Sequence, residues 1–237
     1  EIRARPPDEA AAAVLAACSP RTRLIAISHV VWTTGQMMAV RELAESGIPV
    51  LVDGAQGAGA VPVDVRELGC DFYTVSGQKW LLGPDGTGAL YVAPNRVEEL
   101  AIAFPSYYSQ RAHEQDGTFE ATAGAPRFDV GTVAVAALAG LEQSIEFARR
   151  IGLDRFQRAR TMAERCRELL AAKVEVVTEP GQATLVAFRP PGDPAEAVER
   201  LAAQGVVVRE MPGHGWVRAS VGFWTSEHDL VRLVDAL

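Results

Sequence analysis

The chain has 237 residues, 48% hydrophobic and 22% charged, enough apolar side chain to bury a sizeable core in one large or two modest domains. Its net charge of −7, with no Lys/Arg run, argues against nucleic acid or an anionic membrane surface as a partner. Cys18, Cys70 and Cys166 have neither disulfide-framework nor zinc spacing, and no apolar run approaches the roughly 18 residues of a membrane helix, so a cytoplasmic protein with reduced thiols is expected.

The chain begins at Glu1 without Met, which suggests part of a longer protein. Pro7 and the Ala-rich stretch to Ala17 predict a helix that ends before Pro20. Leu24 to Ser28 reads as a buried strand, Gln36 to Glu45 as a helix stopped at Gly47, and Ile48 to Asp53 as an apolar strand ending in an acid. Asp71 to Ser76 and Gly88 to Val92 repeat the strand pattern. Strands spaced by helix-length connections predict an α/β fold with a mainly parallel sheet, functional groups collecting at the strands' C-terminal ends. From Val133 two long helices are expected, split near Gly152. Beyond Lys173, β-like runs at 174–177, 183–188, 205–209 and 216–221 alternate with helices at 194–203 and 227–237. This is the pattern of a small α/β domain. The expected division is 1–132 for a large domain and 133–237 for an interdomain helix and the small domain.

Residues 74–84 read Thr-Val-Ser-Gly-Gln-Lys-Trp-Leu-Leu-Gly-Pro, and Lys79 is the only charged residue between Asp71 and Asp85. Lys79 follows one strand and Asp53 closes another, so both belong on one rim of the sheet. A lysine can form a Schiff base with pyridoxal phosphate, and a carboxylate can keep the cofactor's ring nitrogen protonated. An Asp at a strand end can equally serve only to cap the next helix.

Asp53-Gly-Ala-Gln56, Asp64, Asp71-Phe-Tyr, Ser76-Gly-Gln-Lys79-Trp, Gly83-Pro84 and Gly86-Thr-Gly88 resemble the class V aminotransferases, pyridoxal-phosphate enzymes of fold type I. Arg127-Phe-Asp-Val-Gly131-Thr132 and Val217-Arg218-Ala-Ser220 extend the resemblance over nearly the whole chain. It implies that Lys79 is the Schiff-base lysine, Asp53 the pyridinium partner and Gln56 the neighbour of the cofactor's phenolic oxygen. It implies also that Ser76 and Gln78 contact the phosphate, and that Thr132 reaches the phosphate of a neighbouring subunit in a homodimer. Arg218 is implied to bind the α-carboxylate of an amino-acid substrate, a task suited to a guanidinium. Gln78 stands where the family usually has histidine. The family's N-terminal part has no counterpart here, so the chain resembles roughly the C-terminal two thirds of such an enzyme.

Ser28-His-Val-Val-Trp32-Thr-Thr-Gly35-Gln36 resembles the cysteine/cystine C-S lyase branch, with Trp32 at the substrate, and no cysteine falls where a desulfurase carries its persulfide. The expected reaction is therefore β-elimination. A class V aminotransferase, an epimerase and a desulfurase-like enzyme remain as alternatives, as does an incomplete relative serving as a fold or assembly module. Other residues read as structural. His29 has no assignable carboxylate partner, Gly57-Ala-Gly59 lacks the third glycine of a dinucleotide loop, and Trp216, Phe223 and Trp224 suit packing. His113, Glu114 and Asp116 lie in a polar loop without metal-ligand spacing, and no metal is expected.

Overall fold

The computed structural model describes residues 6–237. Pro7 opens helix α1 (Pro7–Ala16), where its missing N–H costs nothing and its fixed φ suits the first turn, and Asp8 and Glu9 complement the helix dipole there. The first sheet runs in the order β1 (Ile25–Ser28), β2 (Val50–Asp53), β3 (Phe72–Ser76), β4 (Gly88–Val92). Strands β1, β2 and β3 are parallel, joined through helices α2 (Val40–Ala44) and α3 (Val65–Leu68). Their inward residues Ile25, Val50, Val52 and Tyr73 pack with Ala11, Val14, Val40 and Leu43 into one core.

Strand β4 is antiparallel to β3. The eleven residues between them make a closed turn and not the helical crossover that a parallel neighbour requires. The helix expected over 36–45 is confined to Val40–Ala44. Gln36 to Met38 are extended, because Met37 bridges Val30 and the Met38 N–H donates to the carbonyl of His29 at 2.9 Å. The polar segment around His113 is a hairpin, β5 (Gln110–His113) and β6 (Phe119–Ala121). At its tip the Asp116 carboxylate accepts from the backbone N–H and hydroxyl of Thr118.

Helices α4 (Val135–Ile151) and α5 (Asp154–Ala171) divide at Gly152, whose φ of 84° suits glycine. The second sheet is antiparallel, in the order β7 (Leu185–Phe188), β9 (Trp216–Ser220), β8 (Arg209–Met211). Helix α6 (Pro194–Ala203) starts at an Asp193 cap, and α7 (Glu227–Asp235) at a capping box made by Ser226 and Asp229. Their apolar faces join Cys166 and Leu170 of α5 over Val186, Phe188 and Val217 in a second core. The run at 174–177 contributes only the bridge from Val176 to Phe188, and the strand expected at 205–209 begins at Arg209.

A third cluster joins Val30, Ala60, Val61 and Trp80 to Ala183 and Leu185, linking the two sheets. Beside it, the Thr178 hydroxyl donates to the Thr34 carbonyl at 2.6 Å, the Ala183 N–H to the Gly35 carbonyl at 3.0 Å, and the Met37 N–H to Gln182 Oε1 at 2.8 Å. The loop after β1 is thereby fixed from both sides. Among the described residues no helix is long and apolar enough to cross a membrane.

Candidate active site

Between the C-terminal ends of β1, β2 and β3 and the face of β8 and β9 lies a cavity of about 590 Å³. Its wall includes Trp32, Asp53, Gln56, Lys79 and Arg218, five side chains that the sequence singles out from four separated stretches. Parallel strands deliver their C-terminal ends to one rim, which is why Asp53 at the end of β2 and Lys79 after β3 meet there.

Asp53 is accessible and partly pinned: its Oδ1 accepts from the Ala55 N–H at 2.9 Å and from the Thr74 hydroxyl at 3.3 Å. Its Oδ2 has no partner among the described residues. Gln56 is oriented by a residue that sequence reasoning missed as a site element. The Trp80 indole donates to Gln56 Oε1 at 2.8 Å, and because an indole N–H can only donate, the amide must turn its NH₂ end away from Trp80. Lys79 is one of two lysines in the sequence. The other, Lys173, donates to the Val234 carbonyl in the second core's shell, whereas Lys79 is exposed on the cavity wall.

The turn carrying Lys79 is closed by its own backbone. The Gly77 N–H donates to the Thr87 carbonyl at 2.9 Å, and the Gly83 N–H to the Gly77 carbonyl at 2.8 Å. Gly77 is required by the close approach of Thr87: a Cβ there would stand 2.2 Å from the threonine hydroxyl.

Arg218, 9% exposed, reaches the cavity from β9, and its Nη1 donates to the Trp32 carbonyl at 2.6 Å. Trp32 thus contributes a backbone anchor as well as a ring to the wall. Burial, and after it the positive charge of Arg209, lower the Arg218 guanidinium below its usual range.

Ser76, Gln78 and Thr132 are not among the residues lining this cavity. Ser76 ends β3, Gln78 is exposed on the Lys79 turn, and Thr132 is exposed ahead of α4. His29 is packed: it is 3% exposed, its Nδ1 lies 2.9 Å from the Tyr73 hydroxyl, and burial lowers its pKa. Trp224, read as packing, instead lines the cavity, 49% exposed, with its ring centroid 6.0 Å from that of Trp80. Ser28, Arg209 and Ser220 also face it without having been singled out. A cross-strand signal existed for Arg209, since it stands opposite Arg218, but only once the strand register is known.

The sequence profile of the family Aminotransferase class-V matches residues 8–233. The chain is 36% identical over 256 residues to an isopenicillin N epimerase of Streptomyces clavuligerus, covering 98% of this chain and 63% of that one. It is 30% identical over 248 residues to a Xylella fastidiosa protein described as a probable cysteine desulfurase, covering 92% of this chain and 57% of that one. The solved complex of the cystine C-S lyase C-DES with its reaction product cysteine persulfide superposes with a TM-score of 0.87 at 30% identity, over 95% of this chain and 64% of that one. The chain therefore spans 57% to 63% of the length of these two curated relatives. The architecture it shares with such structures is the fold type I arrangement expected from its sequence. With motif residues, sheet topology and profile in agreement from residue 8 to residue 233, the chain belongs to the class-V aminotransferase family.

Proposed function

We propose that the full protein is a pyridoxal-phosphate enzyme that cleaves the carbon–sulfur bond of cystine or a related thioether amino acid by β-elimination, releasing pyruvate and ammonia. The observation that carries this reading is the convergence of Lys79, Asp53, Gln56 and Arg218 on one cavity.

The residues present fit the cofactor. Asp53 has one oxygen fixed by two donors and the other available for a protonated ring nitrogen, an interaction strengthened by charge. Gln56, with its carbonyl end held by Trp80, has an NH₂ group to donate to a phenolic oxygen. Lys79 is the amine for covalent attachment, and Ser76 and Gln78 on the same turn are assigned to the phosphate. When bound, the cofactor supplies an electron sink for a carbanion at the substrate's α-carbon.

The chain's own side chains do the rest. Arg218, anchored to the Trp32 carbonyl, takes the α-carboxylate and sets which face of the α-carbon meets Lys79. The freed Lys79 amine removes the α-proton, and the C–S bond breaks with its electron pair leaving on sulfur. Among the described residues no cysteine lines the cavity, Cys70 and Cys166 are buried, and burial pushes the Cys166 thiol up to about 12. Buried, protonated thiols are poor persulfide carriers, which supports a lyase over a desulfurase. The 36% identity to an epimerase supports a second reading, in which the same proton returns to the opposite face of the α-carbon.

We assign residues 1–132 to a cofactor-binding domain, whose residues 1–5 lie outside the described ones, and 133–237 to the interdomain helix and small domain. The separate cores at β1–β3 and at β7–β9 support this. A homodimer with Thr132 at the neighbouring subunit's phosphate is supported by the apolar surface around it, Val130 being 72% and Val135 71% exposed. Free cysteines support a cytoplasmic location.

The test is borohydride reduction of the full-length protein followed by peptide mapping, with pyruvate measured from cystine. Label on Lys79, its loss in Lys79→Ala and pyruvate release are the expected results. Label on Lys173 would overturn the cofactor assignment; racemisation without pyruvate would replace the lyase by the epimerase.

A further inference from the structure

Asp53 and Gln56, the two side chains assigned to the cofactor ring, sit on one short turn, residues 53–57, and two buried polar side chains lie beneath it. Tyr73 of β3 is 1% exposed and His29 3% exposed, and the Tyr73 hydroxyl lies 2.9 Å from His29 Nδ1 with the two rings edge to face. The turn rests directly on this pair. A Cβ at Gly54 would run into the Tyr73 ring, and one at Gly57 would stand 2.7 Å from the Tyr73 hydroxyl and 2.8 Å from His29 Nδ1. The His29 N–H donates to the Asp53 carbonyl at 2.9 Å, and the Gly54 N–H to the Thr74 carbonyl at 3.0 Å, so the backbone beside both rings also grips the start of the turn. Ser28 and Val30 line the cavity and His29 between them does not, which sets the imidazole under the rim, away from bound substrate. Burial lowers the pKa of His29, and burial, with Cys70 and Asp53 after it, raises that of Tyr73, so the imidazole is neutral and the phenol keeps its hydrogen. That hydrogen has no other acceptor among the described residues, so the phenol donates to Nδ1. Parting the two would leave a buried donor and a buried acceptor unpaired, and the pair is therefore locked in one geometry.

We propose that the hydrogen bond from Tyr73 to His29 positions the turn from Asp53 to Gly57 against the cofactor, both side chains acting as positioning residues through Asp53 and Gln56 above them. This rests on the proposed function, in which Asp53 meets the ring nitrogen and Gln56 the phenolic oxygen. Without the bond the phenol is free to shift, and Gly54 and Gly57, which bracket Ala55 and Gln56, shift with it. Asp53 and Gln56 both draw electron density away from the Schiff-base nitrogen, one by keeping the ring protonated and the other by donating to the phenolic oxygen. Displacing them makes that nitrogen more basic. A histidine that reads as packing thereby tunes the electronics of the site from the far side of the turn.

The test uses the full-length protein loaded with pyridoxal phosphate, whose visible absorption band is titrated with pH. In Tyr73→Phe, which keeps the ring under Gly54 and removes the hydroxyl, the midpoint should rise by about 0.4 to 1 pH unit, the worth of one ordinary hydrogen bond on that scale. The cofactor should also bind about three- to tenfold more weakly in equilibrium dialysis. His29→Leu should do the same, and the double variant should shift no further than either single one, because both act through one bond. Where His29→Leu fails to fold, the Tyr73→Phe titration decides alone. A role confined to packing would lower stability and leave the midpoint of the loaded protein unmoved; that result, or additive shifts in the double variant, would overturn the inference. So would a shift in His29→Leu without one in Tyr73→Phe, or a Tyr73→Phe chain that does not fold by circular dichroism. Borohydride reduction and mapping of the parent protein keeps the two proposals apart. Label on Lys79 with a midpoint indifferent to Tyr73→Phe defeats this inference alone; no label on Lys79 defeats the proposed function and this inference with it.

Discussion

Which end of Gln56 faces the cavity is decided by an indole. Trp80 Nε1 has a hydrogen to give and no lone pair to receive one, so the amide oxygen is committed to it. Trp80→Phe keeps an aromatic ring in that place but removes the donor together with part of the buried ring, leaving the amide free to turn over. Pyridoxal phosphate should then bind about three- to tenfold more weakly, the value of one ordinary hydrogen bond, as measured by equilibrium dialysis, with an unchanged circular dichroism spectrum. Lys79 and Asp53 were singled out by their places after one strand and at the end of another, Gln56 and Arg218 only through the family resemblance, and all four line the one cavity. Trp80 and Trp224 were not legible as site residues, since an indole in a mixed apolar and polar stretch reads as packing until its neighbours across the cavity are known.

At the level of elements, the turn from β3 to β4 positions the lysine, and it does so by close backbone packing. Gly77 faces the Thr87 hydroxyl and Gly83 faces Leu141 of α4, so the turn is held between its own return strand and the long helix. Gly77→Ala should cost about 1–3 kcal/mol of unfolding free energy in urea, the range for forced overpacking. A double-mutant cycle with Thr87→Ala should show favourable coupling, because shortening the threonine admits part of the new methyl. The antiparallel direction of β4 within the mainly parallel sheet could not be read from the sequence for a related reason. An apolar run of five residues identifies a strand, but whether it returns parallel or antiparallel depends on the closure of the intervening turn, which rests on hydrogen bonds between Gly77, Gly83 and Thr87. The extended backbone at Gln36 to Met38 was hidden similarly: its partners, Val30 and His29 in the chain before and Gln182 far beyond, are not set by local propensity.

Across the whole molecule, the two sheets are tied by residues 32–37, which meet Thr178, Gln182, Ala183 and Arg218. Thr178 is central: its hydroxyl donates to the Thr34 carbonyl and accepts from the Ala187 N–H at 2.7 Å, all within the buried seam. Thr178→Val keeps the shape and leaves both groups unpaired, so about 1–3 kcal/mol of stability should be lost in chemical denaturation. Since the same loop holds Arg218 through the Trp32 carbonyl, calorimetric titration should show weaker binding of amino-acid carboxylates to the variant. Arg209 escaped sequence reasoning at this scale, because its place beside Arg218 follows from the register of β8 on β9, and the strand expected at 205–209 ended where β8 begins. The seam also sets a clock for synthesis. Its carbonyl and amide groups at Trp32, Thr34 and Met37 wait for partners 186, 144 and 145 residues further along the chain. At a ribosomal rate of about 5–20 residues per second, that loop leaves the exit tunnel roughly 7 to 40 s before it can be completed. For that interval the nascent first sheet presents an open rim of unpaired backbone, and it is there that a holding chaperone would be expected to act.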